Sequence, residues 1–199
     1  MPTCLLAAGA VTFCGLGPGC QQRATRFEIT DYRITGEPAR YFQDFEECYY
    51  DLDAMGNVDI VARHTDLLAA DPDNATTQIV RLHGIWQAVP GTTRVESTQL
   101  NATVSYWIMG ESGGVAFEGG GFTVFTEDAH GSILTGELEL SALQPTCQVG
   151  DPPVPFARAE LIGRFRATRD KRRVVRVVNE MKRFFGPAPR YEPAPPGPM

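Results

Sequence analysis

The stretch TQLNATVSYWIM, residues 98–109, decides the fold. Leu100, Ala102, Val104, Tyr106 and Ile108 occupy every second position, and Gln99, Asn101, Thr103 and Ser105 fill the places between. A side-chain period of two belongs to an extended strand with one face buried and the other wet. The same period continues on both sides. Thr77 to Val89 sets Val80, Leu82, Trp86 and Ala88 against Arg81, His83 and Gln87. Ile133 to Ala142 sets Leu134, Leu138 and Leu140 against Thr135, Glu137, Glu139 and Ser141. Phe156 to Thr168 sets Ala157, Ala159, Leu161, Phe165 and Ala167 against Arg158, Glu160, Arg164 and Arg166. Arg26 to Ile34, Tyr41 to Leu52, Val58 to His64 and Val115 to Thr126 read as further strands.

Turn-forming residues separate these segments: Gly36-Glu37-Pro38, Gly56-Asn57, Asp71-Pro72-Asp73-Asn74, Pro90-Gly91, Gly110 to Gly114 and His130-Gly131. Short links between one-sided strands predict a mainly β domain over residues 26–186. Its form is a single antiparallel barrel or curved sandwich of about eight meandering strands. Gly119-Gly120-Gly121 within one strand predicts a bulge or sharp bend there. Over residues 170–185 the period changes. Val174, Val177, Val178, Met181, Phe184 and Phe185 recur at helical spacing, with Asp170 placed to cap the start and Gly186 the end. This predicts a carboxy-terminal amphipathic helix packed on the sheet. Residues 187–199, GPAPRYEPAPPGPM counted from Gly186, read as a Pro-rich disordered tail. In plan the arrangement resembles a calycin barrel with its trailing helix. That resemblance concerns architecture alone, because the G-x-W signature of lipocalins near the first strand is missing.

The amino terminus carries a different signal. Leu5 to Leu16, LLAAGAVTFCGL, is an uncharged apolar run of signal-peptide length, too short to span a bilayer. Gly17-Pro18-Gly19-Cys20 and polar Gln21-Gln22-Arg23 follow it. The pattern resembles the bacterial lipoprotein signal, in which a small residue precedes a cysteine that is acylated and becomes the mature amino terminus. Gly19 and Cys20 match that pattern; Gly17 and Pro18 depart from it, and no Lys or Arg precedes the run. The resemblance implies a signal peptide at residues 1–19, lipidation at Cys20 and a tether over residues 20–25. It further implies export and anchoring to the membrane on the outer side of the cytoplasmic membrane, in the periplasm or at the outer membrane.

Composition agrees with one globular domain: 199 residues, 43% hydrophobic and 21% charged. The formal net charge of −6 argues against nucleic acid as a partner. The charge is uneven, with ten basic and three acidic residues between Arg158 and Arg183. Lys171, Arg172, Arg173 and Arg176 are the candidate contacts to an envelope partner, whether protein or anionic lipid, although the plainer reading of them is a solvated helix face. Cys48 and Cys147 are the two thiols of the domain, and in an oxidising compartment they could form a disulfide or stay apart as two small buried residues.

Catalytic and metal chemistry find little support. Asp44, Glu46, Glu47, Asp51, Asp53 and Asp59 tempt a calcium reading, but a loop counted from Asp51 puts Met55 and Ala62 at ligand positions. A hairpin turning through Ala54-Met55-Gly56-Asn57 explains the stretch better. His64, His83 and His130 lack partners at zinc spacing and read as surface residues, so no metal is expected. No G-x-S-x-G elbow, phosphate loop or dinucleotide fingerprint occurs, so no cofactor is expected and the domain reads as non-enzymatic. Two function classes remain. One is an exported lipoprotein with a structural or interaction role at the cell envelope. The alternative is a small apolar-ligand or lipid carrier, its barrel cavity lined by Trp86, Tyr106 and Phe122. A filled interior favours the first and an open one the second.

Overall fold

The deciding stretch becomes strand β6 (Ala102–Met109) of a nine-stranded sheet. The structure, a computed structural model, describes residues 25–32, 37–66, 76–85, 100–150 and 158–186. The signal segment, nearly all of the tether, and the Pro-rich tail lie outside the described residues. The other strands are β1 (Thr25–Tyr32), β2 (Ala39–Phe45), β3 (Glu47–Leu52), β4 (Val58–Thr65), β5 (Thr77–Gly84), β7 (Gly113–Glu127), β8 (Ile133–Gly150) and β9 (Arg158–Arg169). A single helix, α1 (Lys171–Phe185), follows.

The strands pair in the order β2-β1-β9-β3-β4-β5-β6-β7-β8, and β9 pairs with β8 as well. The sheet thus comes back on itself through β9. It is ring-like without being a true barrel. β9 meets β8 along one edge, β1 along the first half of the other, and β3 only at Tyr49↔Thr168 and Tyr50↔Arg169. That last contact is parallel, so the wholly antiparallel sheet expected from the meander needs this correction. It follows from the path of the chain. β2 runs antiparallel to β1, which is itself antiparallel to β9, so β3, continuing β2, runs with β9.

Two strand boundaries differ from those read in the sequence. The single strand expected over Tyr41 to Leu52 is bent at Glu46 into β2 and β3, because β2 pairs with β1 whereas β3 pairs with β4. Strand β8 runs on past Ala142 to Gly150. Pro145, which has no N–H to give a ladder, sits opposite Phe117 at one of two register shifts in the β7–β8 pair. The three glycines lie between those shifts, at Ala116/Phe117 and Phe122/Thr123. At Gly119 the strands approach so closely that a Cβ would overlap the Ala142 carbonyl oxygen.

Side chains supply the ladder bonds that irregularities remove. Asn101 donates from Nδ2 to the Thr123 carbonyl and accepts at Oδ1 from the Thr123 N–H, both at 2.8 Å, beside the second register shift. Ser141 Oγ donates to the Leu161 carbonyl at 2.6 Å and accepts from its N–H at 2.7 Å, within the gap in β8–β9 pairing. Thr25 Oγ1 joins the Arg166 carbonyl and N–H at 3.3 and 3.1 Å. A buried polar side chain without a partner is costly, and a backbone rung without one is costly too; each pairing removes both penalties.

The core is inside the ring. Val104, Tyr106 and Ile108 face it from β6, alongside Phe27, Ile29, Phe45, Tyr50, Ile60, Leu82, Phe117, Leu138, Leu161 and Phe165. Leu100, expected on the same face, precedes β6 and is 51% exposed. A second cluster lies outside the ring, where Val61, Ile79, Trp107, Met109 and Ala116 meet Val174, Val177 and Met181 of α1. This explains why β6 is buried on both faces at its end, where strict alternation predicted one wet face. Asp170 caps α1 as expected, its carboxylate accepting from the Arg173 N–H at 3.1 Å, and Gly186 ends it at φ 91°. The Asp170 N–H also donates to the Tyr50 carbonyl at 3.0 Å, which fixes the start of the helix to the ring.

Candidate functional site

The interior positions tyrosines at both ends of the ring. Tyr106 is fully buried, stacks on Phe117 at 6.2 Å between centroids, and donates from its hydroxyl to Gln78 Oε1 at 2.8 Å. Burial raises its pKa well above the ordinary phenol value, and the neighbouring Tyr41 adds to that; burial likewise pushes Tyr41 up to about 12. At the other end the single Tyr50 O–H points to Glu127 Oε1 at 2.6 Å, with the Gly131 carbonyl oxygen 3.0 Å away. Of the three residues expected to line a cavity, Tyr106 is therefore packed between Phe117 and Gln78. Phe122 is fully buried at the second register shift. Trp86 lies outside the described residues, as does the lipidation candidate Cys20.

The two thiols do not meet. Cys48 belongs to the interior core, where burial pushes its thiol up to about 12. Cys147 is half-buried against the outer cluster, its sulfur 4.0 Å from the Phe185 carbonyl oxygen. Both are free, on opposite faces of the sheet. Of the two arrangements left open by the sequence, the thiols take the separate one, and alternation is the reason: Cys48 points into the ring and Cys147 points out.

The four basic residues proposed from sequence divide into two pairs. Lys171 lies 3.9 Å from Asp51. Arg173 lies 3.5 Å from Asp170, stacks its guanidinium 4.7 Å from the Tyr49 ring centroid and donates to the Tyr49 hydroxyl. These two serve the junction of helix and sheet. Arg172 and Arg176 are exposed and make no ion pair among the described residues. Lys182 and Arg183 behave like them.

Arg176 and Arg183 flank an open groove of about 750 Å³ between α1 and the adjoining ends of β5 and β6. Met109 and Phe184 supply its apolar walls; Thr77, Gly110, Asn179 and Glu180 complete it. Glu180 is held by Arg63 at 3.3 Å. The helix brings its groove residues together because positions three, four and seven apart share a flank. Arg183 was visible in the sequence only as the last of the ten basic residues from Arg158 onward. Met109 and Thr77 were not, since only the β5–β6 pairing, with Thr77 opposite Met109, places them side by side beneath the helix.

The acidic stretch forms the hairpin expected of it. Asp53 accepts from the Met55 N–H at 2.8 Å, the Asn57 N–H at 2.9 Å and Asn57 Nδ2 at 2.8 Å, with Gly56 at φ 83°. The Asn57 side chain and these amides hold the Asp53 carboxyl below its ordinary range. Among the described residues no group of three or more His, Cys, Asp or Glu side chains could hold a metal ion. His64 is half-buried with Nδ1 2.7 Å from Glu46, and His83 is half-buried as well, so only His130 is the exposed residue expected. No described helix is long and apolar enough to cross a membrane. Comparison with known proteins finds no matching family model, no similar curated protein and no similar solved structure.

Proposed function

We propose that the chain is an exported lipoprotein, anchored at Cys20, whose β ring is a non-enzymatic scaffold for an interaction surface at the cell envelope. The observation that carries the scaffold reading is the filled interior. Phe27, Tyr50, Tyr106, Phe117, Leu138 and Leu143 are each no more than 1% exposed inside the ring. Large side chains in that space leave the surface as the place for recognition. The same packing weighs against the alternative, a carrier with its apolar ligand inside the ring. Exposed Arg172 and Arg176 suit a partner of negative charge, as envelope surfaces offer. The signal-like segment ending at Cys20 supports export and anchoring.

Replacing Cys20 with serine tests the anchor. The wild-type chain is expected in the membrane fraction and the Cys20→Ser chain in the soluble fraction. A Cys20→Ser protein that stays with membranes overturns the anchor. Native mass spectrometry of the purified protein tests the scaffold, and an uncharged lipid retained by it would overturn that reading in favour of the carrier.

A further inference from the structure

We infer that the groove between α1 and the adjoining ends of β5 and β6 binds an anionic amphiphile, a phosphate or carboxylate head on a single alkyl chain. Three features of the groove point to this class. First, its two unpaired charges have the same sign: Arg176 and Arg183 make no ion pair among the described residues, while the one acid present, Glu180, is engaged by Arg63 at 3.3 Å. Second, the arginines stand seven residues apart, about 10 Å along the helix axis. Their long side chains can close on one anion from two sides, and guanidinium groups match the oxygens of phosphate and carboxylate. Third, the space between them is not wholly polar. Met109 and Phe184 line it, and Phe184 is braced edge-on against Phe185 at 4.9 Å between centroids. A volume of about 750 Å³ is within the usual range for a small-molecule site and far exceeds a bare phosphate.

The site differs from the cavity of the alternative carrier reading, since it lies outside the ring. It also differs from a general cationic face. Arg172 and Lys182 are exposed on the same helix yet do not line the groove. The inference does not depend on acylation of Cys20.

The test is calorimetric titration of the full chain with dodecyl phosphate below its micelle concentration. Saturable binding of one molecule is expected. Arg176→Gln and Arg183→Gln should each weaken it about tenfold, the size of one lost charge-assisted contact. Arg172→Gln and Lys182→Gln should leave it unchanged. Dodecyl maltoside, with the same chain and no charge, and inorganic phosphate, with the charge and no chain, should each bind at least tenfold more weakly. Equal weakening by all four substitutions would overturn the site in favour of diffuse attraction by the helix. Equal binding of the maltoside would remove the anion from the proposal, and equal binding of inorganic phosphate would remove the alkyl chain. Binding to phosphatidylglycerol vesicles without binding of monomeric dodecyl phosphate would overturn it in favour of a membrane-facing surface.

Discussion

The two apolar clusters share one sheet but are bounded differently. Inside the ring, β1 through β9 all contribute side chains, which meet across the interior. Outside it, five residues from β4, β5, β6 and β7 are covered by three buried residues of α1, and the helix flanks are open to solvent. Tyr49, Cys147, Val178, Phe184 and Phe185 fringe this outer patch only half-buried. The unpaired cations of α1 stand beside it. A sheet buried on both faces beneath its helix thus separates two tasks: the interior carries stability, and the outer margin combines apolar surface with accessible charge.

The sharpest way to break that separation is to truncate one buried side chain in each cluster. Phe117→Ala removes a fully buried ring from the interior and is expected to cost about 3–5 kcal/mol by urea denaturation. Met181→Ala in the outer cluster is expected to cost about 2 kcal/mol, the low end for such a truncation, because a helix free along its flanks can settle into the gap. If Met181→Ala proves the more damaging, the helix is a structural stave of the ring and the division fails.

Alkaline pH gives a second, smaller contrast. Burial raises the Cys48 thiol from 9.0 to about 12, so the folded state favours the neutral form. Its contribution to stability is intact below about pH 9. It declines as pH rises toward 12, by about 1.4 kcal/mol per pH unit, because only the unfolded chain releases the proton readily. Cys48→Ala should therefore lose less stability than wild type between pH 9 and pH 10.5, as read from urea midpoints. Equal slopes would mean that water reaches Cys48 and that the interior is less closed than its packing implies. Tyr41, Tyr50 and Tyr106, also raised by burial, steepen the decline above pH 10 in both proteins.

These residues also mark what the sequence could convey. Alternation along β6 and β9 is a local property, so the inward set Val104, Tyr106, Ile108, Ala159, Leu161, Phe165 and Ala167 was legible. The helix and its Asp170 cap were legible for the same reason. Leu100 was misplaced because periodicity continues past the residue where pairing stops. Trp107 and Met109 break alternation only because a helix some seventy residues later covers them. The parallel β3–β9 contact depends on ring closure, which no single segment encodes. The groove shares that limit. Its arginines are set by helical spacing, but Met109 and Thr77 join them through a strand pairing and a helix docking that are decided globally. Sorting Lys171 and Arg173 from Arg172 and Arg176 likewise required knowing where Asp51 and Tyr49 would lie.

The smallest expected effect bears most directly on whether the two regions unfold separately. Asp170→Ala removes the carboxylate that accepts from the Arg173 N–H, and such caps are worth about 1 kcal/mol. It spares the backbone bond from the residue 170 N–H to the Tyr50 carbonyl, so the helix keeps its attachment to β3. The first turn of α1 should then fray, with faster hydrogen exchange at the amides of Arg173 and Val174. Protection of Tyr106 and Leu138 should fall by no more than the global loss requires. If interior and helix amides instead lose protection together and equally, ring and helix open as one unit. The outer groove would then be only as persistent as the whole fold, and not the first part of it to yield.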